Sequence, residues 1–577
     1  MVVVRAAVVA AIAAGAAGLA GAAAGCAGAP SPHARAGRLD GAPRPVVVAT
    51  HAFPRTWSPL AAVDRGAREL MPLLYPELIA LDPVTGEAVP GLAERWQWSP
   101  DGATLTLTMR ADARWSDGTA VTARDAAATL AAARNVSPAS VAPLRIAAAR
   151  AAGDRELVVR LAQADCRVLV DLTLGVLPAA VARAAEAARD PWTLPAVPAT
   201  APTTGPFRIA GVEPDVRIDL LPGSPGAGST AAERGLTLLA VPHPSAALAA
   251  LFAGRVDVAS VRPRDVAHVQ REVAAGAQVR LTTVPGADVV VLAMNLADPE
   301  RPRPGLPERD RVAARAGAGR WSPQPPHPVL GRVEVRQAVA HAIDYGRLID
   351  RAVHGHGRRV PADVPPAAAW AFASSLVPPA TDLPAARERL SEAGWVTSGH
   401  GDVRRRAGRP LEARLLVSRG NQAHETAAAV VAQGLAEVGF AVEVQRLEYG
   451  SLLAEVLGQR FDMALLTLRG GGPDPDPGRR WSREGDVPGR GPNFTSLASP
   501  ELERALAAAR YAPGCEPAAR AAAYHEAQAL LQALLPVVPL YSPSDVVAHR
   551  VELGAYRPGV WSPYALFAEP AATGRPR

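Results

Sequence analysis

Lysine is absent from all 577 residues, so the 61 basic side chains are arginine, set against 55 acidic ones for a formal charge of +6. Those arginines are scattered rather than striped, and aromatics make up only 5% of the chain. A nucleic-acid face needs clustered basic residues with aromatics between them, so no nucleic-acid partner is expected. Cysteine is nearly missing too: only Cys26, Cys166 and Cys515 occur, with no Cys-x-x-Cys pair. That removes the common form of structural zinc. Gly-x-Ser-x-Gly, Gly-x-x-x-x-Gly-Lys and a Gly-x-Gly-x-x-Gly opening a helix are all lacking. His424-Glu425 and His525-Glu526 begin like a zinc-protease helix but have no second His four residues on. His354-Gly355-His356 reads as an exposed turn. No enzymatic activity, cofactor or metal is expected.

What is present begins at the N-terminus. Arg5 precedes a run of Ala, Val, Ile, Leu and Gly that ends at Gly25-Cys26. One early cation, an apolar stretch and small residues before a cut site describe a secretory signal. The Ala23-Ala24-Gly25-Cys26 segment is similar to a bacterial lipobox without its usual leading Leu, which makes Cys26 the lipidation candidate and residues 1–26 a signal peptide. A plain signal or an N-terminal anchor is the alternative, since the run is near the length that spans a bilayer. Either way the bulk of the chain lies outside the cytoplasmic membrane, periplasmic or membrane-anchored. Export permits a Cys166–Cys515 disulfide, and two inert buried thiols fit equally well.

Residues 27–44 are rich in Gly, Pro, Ala and Ser and read as a flexible tether. Val46 to Ala49 is a short strand. Leu105, Leu107 and Met109 alternate with Thr104, Thr106 and Thr108, the mark of a half-buried strand, between turns at Asp101-Gly102 and Ser116-Asp117-Gly118. Thr122 and Asp125 resemble a capping box ahead of an Ala-rich helix. Val335, Ala338, Val339, Ala342 and Ile343 predict one amphipathic helix through about Val353. From Leu411 to Leu468 strand and helix alternate with short links, which predicts parallel strands joined by crossovers and hence an α/β lobe. Residues 299–331, rich in Pro, Arg and Gly, are expected to form a surface loop too polar to pack.

Several motifs fall in order along the chain: Val89-Pro90-Gly91-Leu92-Ala93-Glu94-Arg95-Trp96, then Asp101-Gly102, then Asp117-Gly118-Thr119. They continue with Thr204-Gly205-Pro206-Phe207, Gly254-Arg255-Val256-Asp257, Val335-Arg336-Gln337-Ala338 leading to Ala342-Ile343-Asp344, Ala393-Gly394-Trp395, and Pro536 to Leu540. Together they resemble bacterial extracellular solute-binding protein family 5, whose members include oligopeptide-, dipeptide- and nickel-binding receptors of ABC importers. The resemblance implies a two-lobed periplasmic-binding-protein α/β fold with a ligand cleft between the lobes. It implies a first lobe over 45–285, a second over 286–510 carrying the 299–331 insertion, and a return to the first over 511–577. It further implies a monomer that delivers a peptide, or another small polar or amphipathic solute, to ABC permease subunits while anchored through lipid at the N-terminus. A non-transport lipoprotein of the same fold, acting as regulator or scaffold in cell-envelope biosynthesis, is the alternative. Gly91, Gly102 and Gly118 are read as turn residues, Trp96 and Trp115 as core.

In that family the cleft is lined after the first strand, at the entry to the second lobe and after a late strand. The resemblance therefore points to Phe53 and Trp57, to Asn295, and to Arg469, Asp474, Asp476 and Trp481. Peptide-binding members resemble W-x-x-D-x-x-D/E-P in the last of these, where the first Asp can pair with a peptide ammonium. Here Leu468 and Gly471 stand at the Trp and Asp positions. Asp474 and Asp476 could substitute, or could be solvated in a Pro-stiffened turn. Arg469, Arg479 and Arg480 could instead favour an anion.

Overall fold

The Thr-Leu alternation at 104–109 becomes a strand whose Leu105, Leu107 and Met109 are all but inaccessible to solvent, while the threonines between them are half-exposed. It pairs with Ala93–Trp98 on one side and Glu156–Leu161 on the other, and Ile146–Ala151 completes a four-stranded antiparallel sheet. The Ala-rich helix Ala123–Val136 follows, and the Asp125 carboxylate accepts the Thr122 amide at 2.9 Å and its hydroxyl at 3.0 Å. The capping box is thus closed by its acidic half. This computed structural model describes residues 44–62, 64–82, 85–136, 145–188, 201–223, 234–301, 324–397, 399, 402–469, 472, 474–554, 556, 558–561 and 564. Cys26, the signal segment and all but the last residue of the 27–44 tether lie outside them.

Two further sheets carry the rest. A seven-stranded sheet holds Val46–Thr50 near its middle, hydrogen-bonded in parallel to Leu236–Ala240 and Val258–Val261. Its core runs without a break into that of the four-stranded sheet, with Val46, Phe207 and Leu236 in one cluster with Leu105, Leu157 and Val159. A six-stranded sheet contains Glu412–Ser418 in parallel with both Ala441–Leu447 and Met463–Arg469, linked by the helices Gln422–Glu437 and Tyr449–Leu457. This is the α/β alternation expected from 411 onward. Beside it, Asp288–Met294 runs antiparallel to both Met463–Arg469 and Val537–Pro543.

The chain passes between the seven- and six-stranded sheets twice. It leaves at Pro285–Ala287, between the strands Val279–Val284 and Asp288–Met294, and it returns at Ser544, between Val537–Pro543 and Asp545–Arg550. The two crossings touch. A Cβ on Gly286 would lie 1.6 Å from the Pro543 carbonyl oxygen, so only glycine fits, and the Ser542 hydroxyl donates to the Asp288 carbonyl at 2.7 Å.

Three expectations are corrected. The return to the first half comes at 544, not 511, because helix Pro517–Leu534 buries Tyr524, Ala527 and Leu531 on the six-stranded sheet and strand 537–543 belongs to it. The predicted single helix to Val353 is two, Val333–Ala342 and Tyr345–Val353, broken where the Asp344 side chain accepts the Arg347 amide at 2.9 Å. The 299–331 segment is not wholly a non-packing loop: 302–323 lie outside the described residues, but Val329 and Leu330 are core and His327 is buried against Asp462 at 3.1 Å.

Cys166 and Cys515 are joined by a disulfide, with Cα atoms 5.4 Å apart and a sequence separation of 349. Cys166 follows the four-stranded sheet, and Cys515 lies between the helices Pro500–Arg510 and Pro517–Leu534 of the other half. The bond therefore ties the two halves together away from the crossings in sequence.

Candidate functional site

Past the strand Met463–Arg469 the run Asp474-Pro475-Asp476-Pro477 turns under the Cys166–Cys515 junction. Neither carboxylate is solvated. Asp476 accepts two hydrogen bonds from Arg510, both at 2.7 Å, and one from the Gly478 amide at 2.6 Å. Arg167 from the opposite half approaches the same carboxylate at 3.7 Å. Burial alone would depress the Arg510 guanidinium, but the hydrogen bonds and charge of Asp476 outweigh it and hold it above the ordinary range. Asp474 is paired with Arg520 and accepts the Tyr524 hydroxyl at 2.8 Å. Arg520 and Tyr524 sit four residues apart on one helix face, which lets both reach one carboxylate. Burial first, then the Asp474 charge, raises the Tyr524 phenol. Arg520 also donates to the Ala509 carbonyl at 3.0 Å and lies 5.0 Å over the Trp370 ring.

A cavity of about 600 Å³ opens beside this pair. One wall comes from the first half: Glu87, Trp96, Gln97, Trp98, Leu169 and Val170. The other comes from the second: Trp370, Asp474, Arg520 and the Gly514–Pro517 segment. Residues two apart on a strand share a face, so Trp96 and Trp98 stand together on the strand Ala93–Trp98. Trp98 and Leu169 also pack against the disulfide, which fixes one wall against the other.

Of the ligand-contact candidates from sequence, Asp474 alone lines this cavity, and Asp476 supports it from behind. Asn295 is fully buried: its amide nitrogen donates to the carbonyls of Gln459 and Phe461 at 2.9 and 3.0 Å, and its oxygen accepts the Ala297 amide at 3.0 Å. With every polar atom used internally it has nothing left for a ligand. Trp481 is likewise core, its indole donating to the buried Asp363 carboxylate at 2.7 Å. Phe53 and Trp57 are partly buried against the first core and do not line the cavity. Arg469 is exposed at its strand end, in register with Asp288. Trp115 is core as expected, whereas Trp96 faces the cavity. Trp98, Trp370 and Arg520 were missed, and only the Trp96-x-Trp98 spacing could have signalled part of this wall.

A family model described as the bacterial extracellular solute-binding proteins, family 5, matches residues 87–487, more than half of the chain. The chain belongs to that family. A Brucella ovis protein named as an ABC transporter peptide-binding protein is 25% identical over 525 residues, covering 88% of each chain. Among solved structures, HbpA2 from Haemophilus parasuis superposes with a TM-score of 0.72 at 19% identity, over 91% of this chain and 98% of that one. NikA from Brucella suis, solved with Fe(III)-EDTA, gives 0.68 at 19% identity over 91% and 99%. These likenesses show the two-lobed binding-protein fold. As a member of the family, the protein is a solute-binding component of an ABC importer. The crossings at 285–287 and 544 are the two chain connections that this fold runs between its lobes. Among the described residues no helix is long and apolar enough to cross a membrane, and no group of three or more His, Cys, Asp or Glu could hold a metal ion.

Proposed function

We propose that this family 5 protein captures its solute in the cavity between the Trp96–Trp98 wall and the Trp370–Arg520 wall, acting outside the cytoplasmic membrane. The observation that carries the reading is that both halves contribute walls to one cavity of drug-sized volume. The chemistry is capture and release rather than turnover, and the permease subunits of an importer are the downstream partners. Cys26 supplies the lipid tether. A free peptide with a terminal ammonium is disfavoured as the solute, because Asp474 is already neutralised by Arg520 and held by Tyr524. Native mass spectrometry of protein purified from its own host tests this reading. A trapped small molecule that is lost from the Trp98→Ala variant is expected, and an unliganded mass together with no stabilisation by any solute pool would overturn it.

A further inference from the structure

We infer that the cavity selects an organic cation: a positive charge carried on an apolar body. This rests on the reading of the cavity as the solute site. Among the described residues the charged ones in the lining are Glu87, Asp474, Glu516 and Arg520, three negative and one positive, for a net −2. Asp474 and Arg520 cancel each other through their ion pair. Arg520 Nε and Nη2 further donate to the Ala509 carbonyl and the Tyr524 hydroxyl, and with its charge matched by Asp474 it adds no net positive charge to greet an anion. Glu87 and Glu516, one from each wall, are exposed, and neither has an ion-pair partner among the described residues. They supply the uncompensated field.

The body of the ligand is set by the indoles. Indole faces attract cations through the ring quadrupole, best among the aromatic side chains. Arg520 over Trp370 at 5.0 Å is an internal instance of this contact in the same cavity. Trp96 and Trp98, on one sheet face, carry no such partner among the described residues and are available to a ligand. Leu169 and Val170 extend the apolar surface, and among the described residues Gln97 is the only neutral polar side chain in the lining, too little for a sugar that needs many paired hydroxyls. Because Trp98 packs on the disulfide, this surface is formed before a ligand arrives.

Isothermal titration of the purified protein with benzyltrimethylammonium, benzyl alcohol and benzoate tests the charge requirement at constant ring size. Saturable binding of the cation, at least tenfold tighter than the alcohol and with no binding of benzoate, is expected. The double variant Glu87→Gln, Glu516→Gln should weaken the cation at least tenfold and leave the alcohol unchanged, while Trp96→Leu weakens both. Binding of the alcohol or benzoate as tight as the cation, no binding of any of the three, or a double variant without effect would overturn the inference. A neutral or anionic molecule trapped in host-purified protein and lost from Trp98→Ala would overturn the cation alone, leaving the cavity as the solute site.

Discussion

Asp474 and Arg520 have side chains exposed by only 8% and 6%, and a charge so far removed from water persists only when paired. Asp474→Asn strips Arg520 of its counter-charge while leaving the guanidinium buried. It should cost about 3–5 kcal/mol, seen as an earlier midpoint in urea unfolding. Arg520→Met in the same background should recover part of that loss. Equal instability of single and double variants would mean that the pair is not the source. The same residues show where the sequence stops being informative. The family resemblance pointed to Asp474 as a candidate contact, but its partner stands 46 residues away, so a free anchor and a neutralised one look alike in one dimension. Asn295 and Trp481 failed for the complementary reason. A polar or aromatic residue at a family cleft position carries no mark of whether its hydrogen-bonding atoms are turned inward, as those of both residues are.

Elements were more legible than sites, because periodicity is a local property. The strands 412–418, 441–447 and 463–469 and the helices between them announce themselves by alternating apolar patterns. The break at Ile343–Asp344 was hidden, since both helices bury their apolar faces in the same core and the spacing continues across the kink. Only Asp344, a capping residue inside an apolar run, marks it. The crossing segments carry a sharper constraint. With no room for a Cβ at Gly286, Gly286→Ala must push the two crossing strands apart or twist one of them. A loss of about 1–3 kcal/mol is expected from this overpacking, measured by thermal unfolding, together with a changed rate of solute release. An unaltered release rate in a destabilised variant would show that the crossings serve stability alone.

For the whole molecule the decisive bond is Cys166–Cys515. It closes a loop of 349 residues, and the chain-entropy argument assigns such a link on the order of 5 kcal/mol. Reduction, or Cys166→Ser with Cys515→Ser, should lower the melting temperature strongly. It should also widen the difference in small-angle scattering between solute-free and solute-loaded protein. A reduced protein with unchanged melting and scattering would remove the disulfide from any part in the motion. Nothing in the sequence marks this link beyond the presence of two cysteines in an exported chain.

Two bodies joined by a pair of neighbouring strands keep one easy rotation, about the line through those strands. The Cys166–Cys515 bond is a third tie, carried by other residues, and it resists any rotation that would part those two cysteines. The remaining route to a wider mouth is flexure between the four- and seven-stranded sheets, which share one continuous core and resist it. While the bond is intact, solute is expected to enter through the existing opening rather than by a wide swing of the two halves.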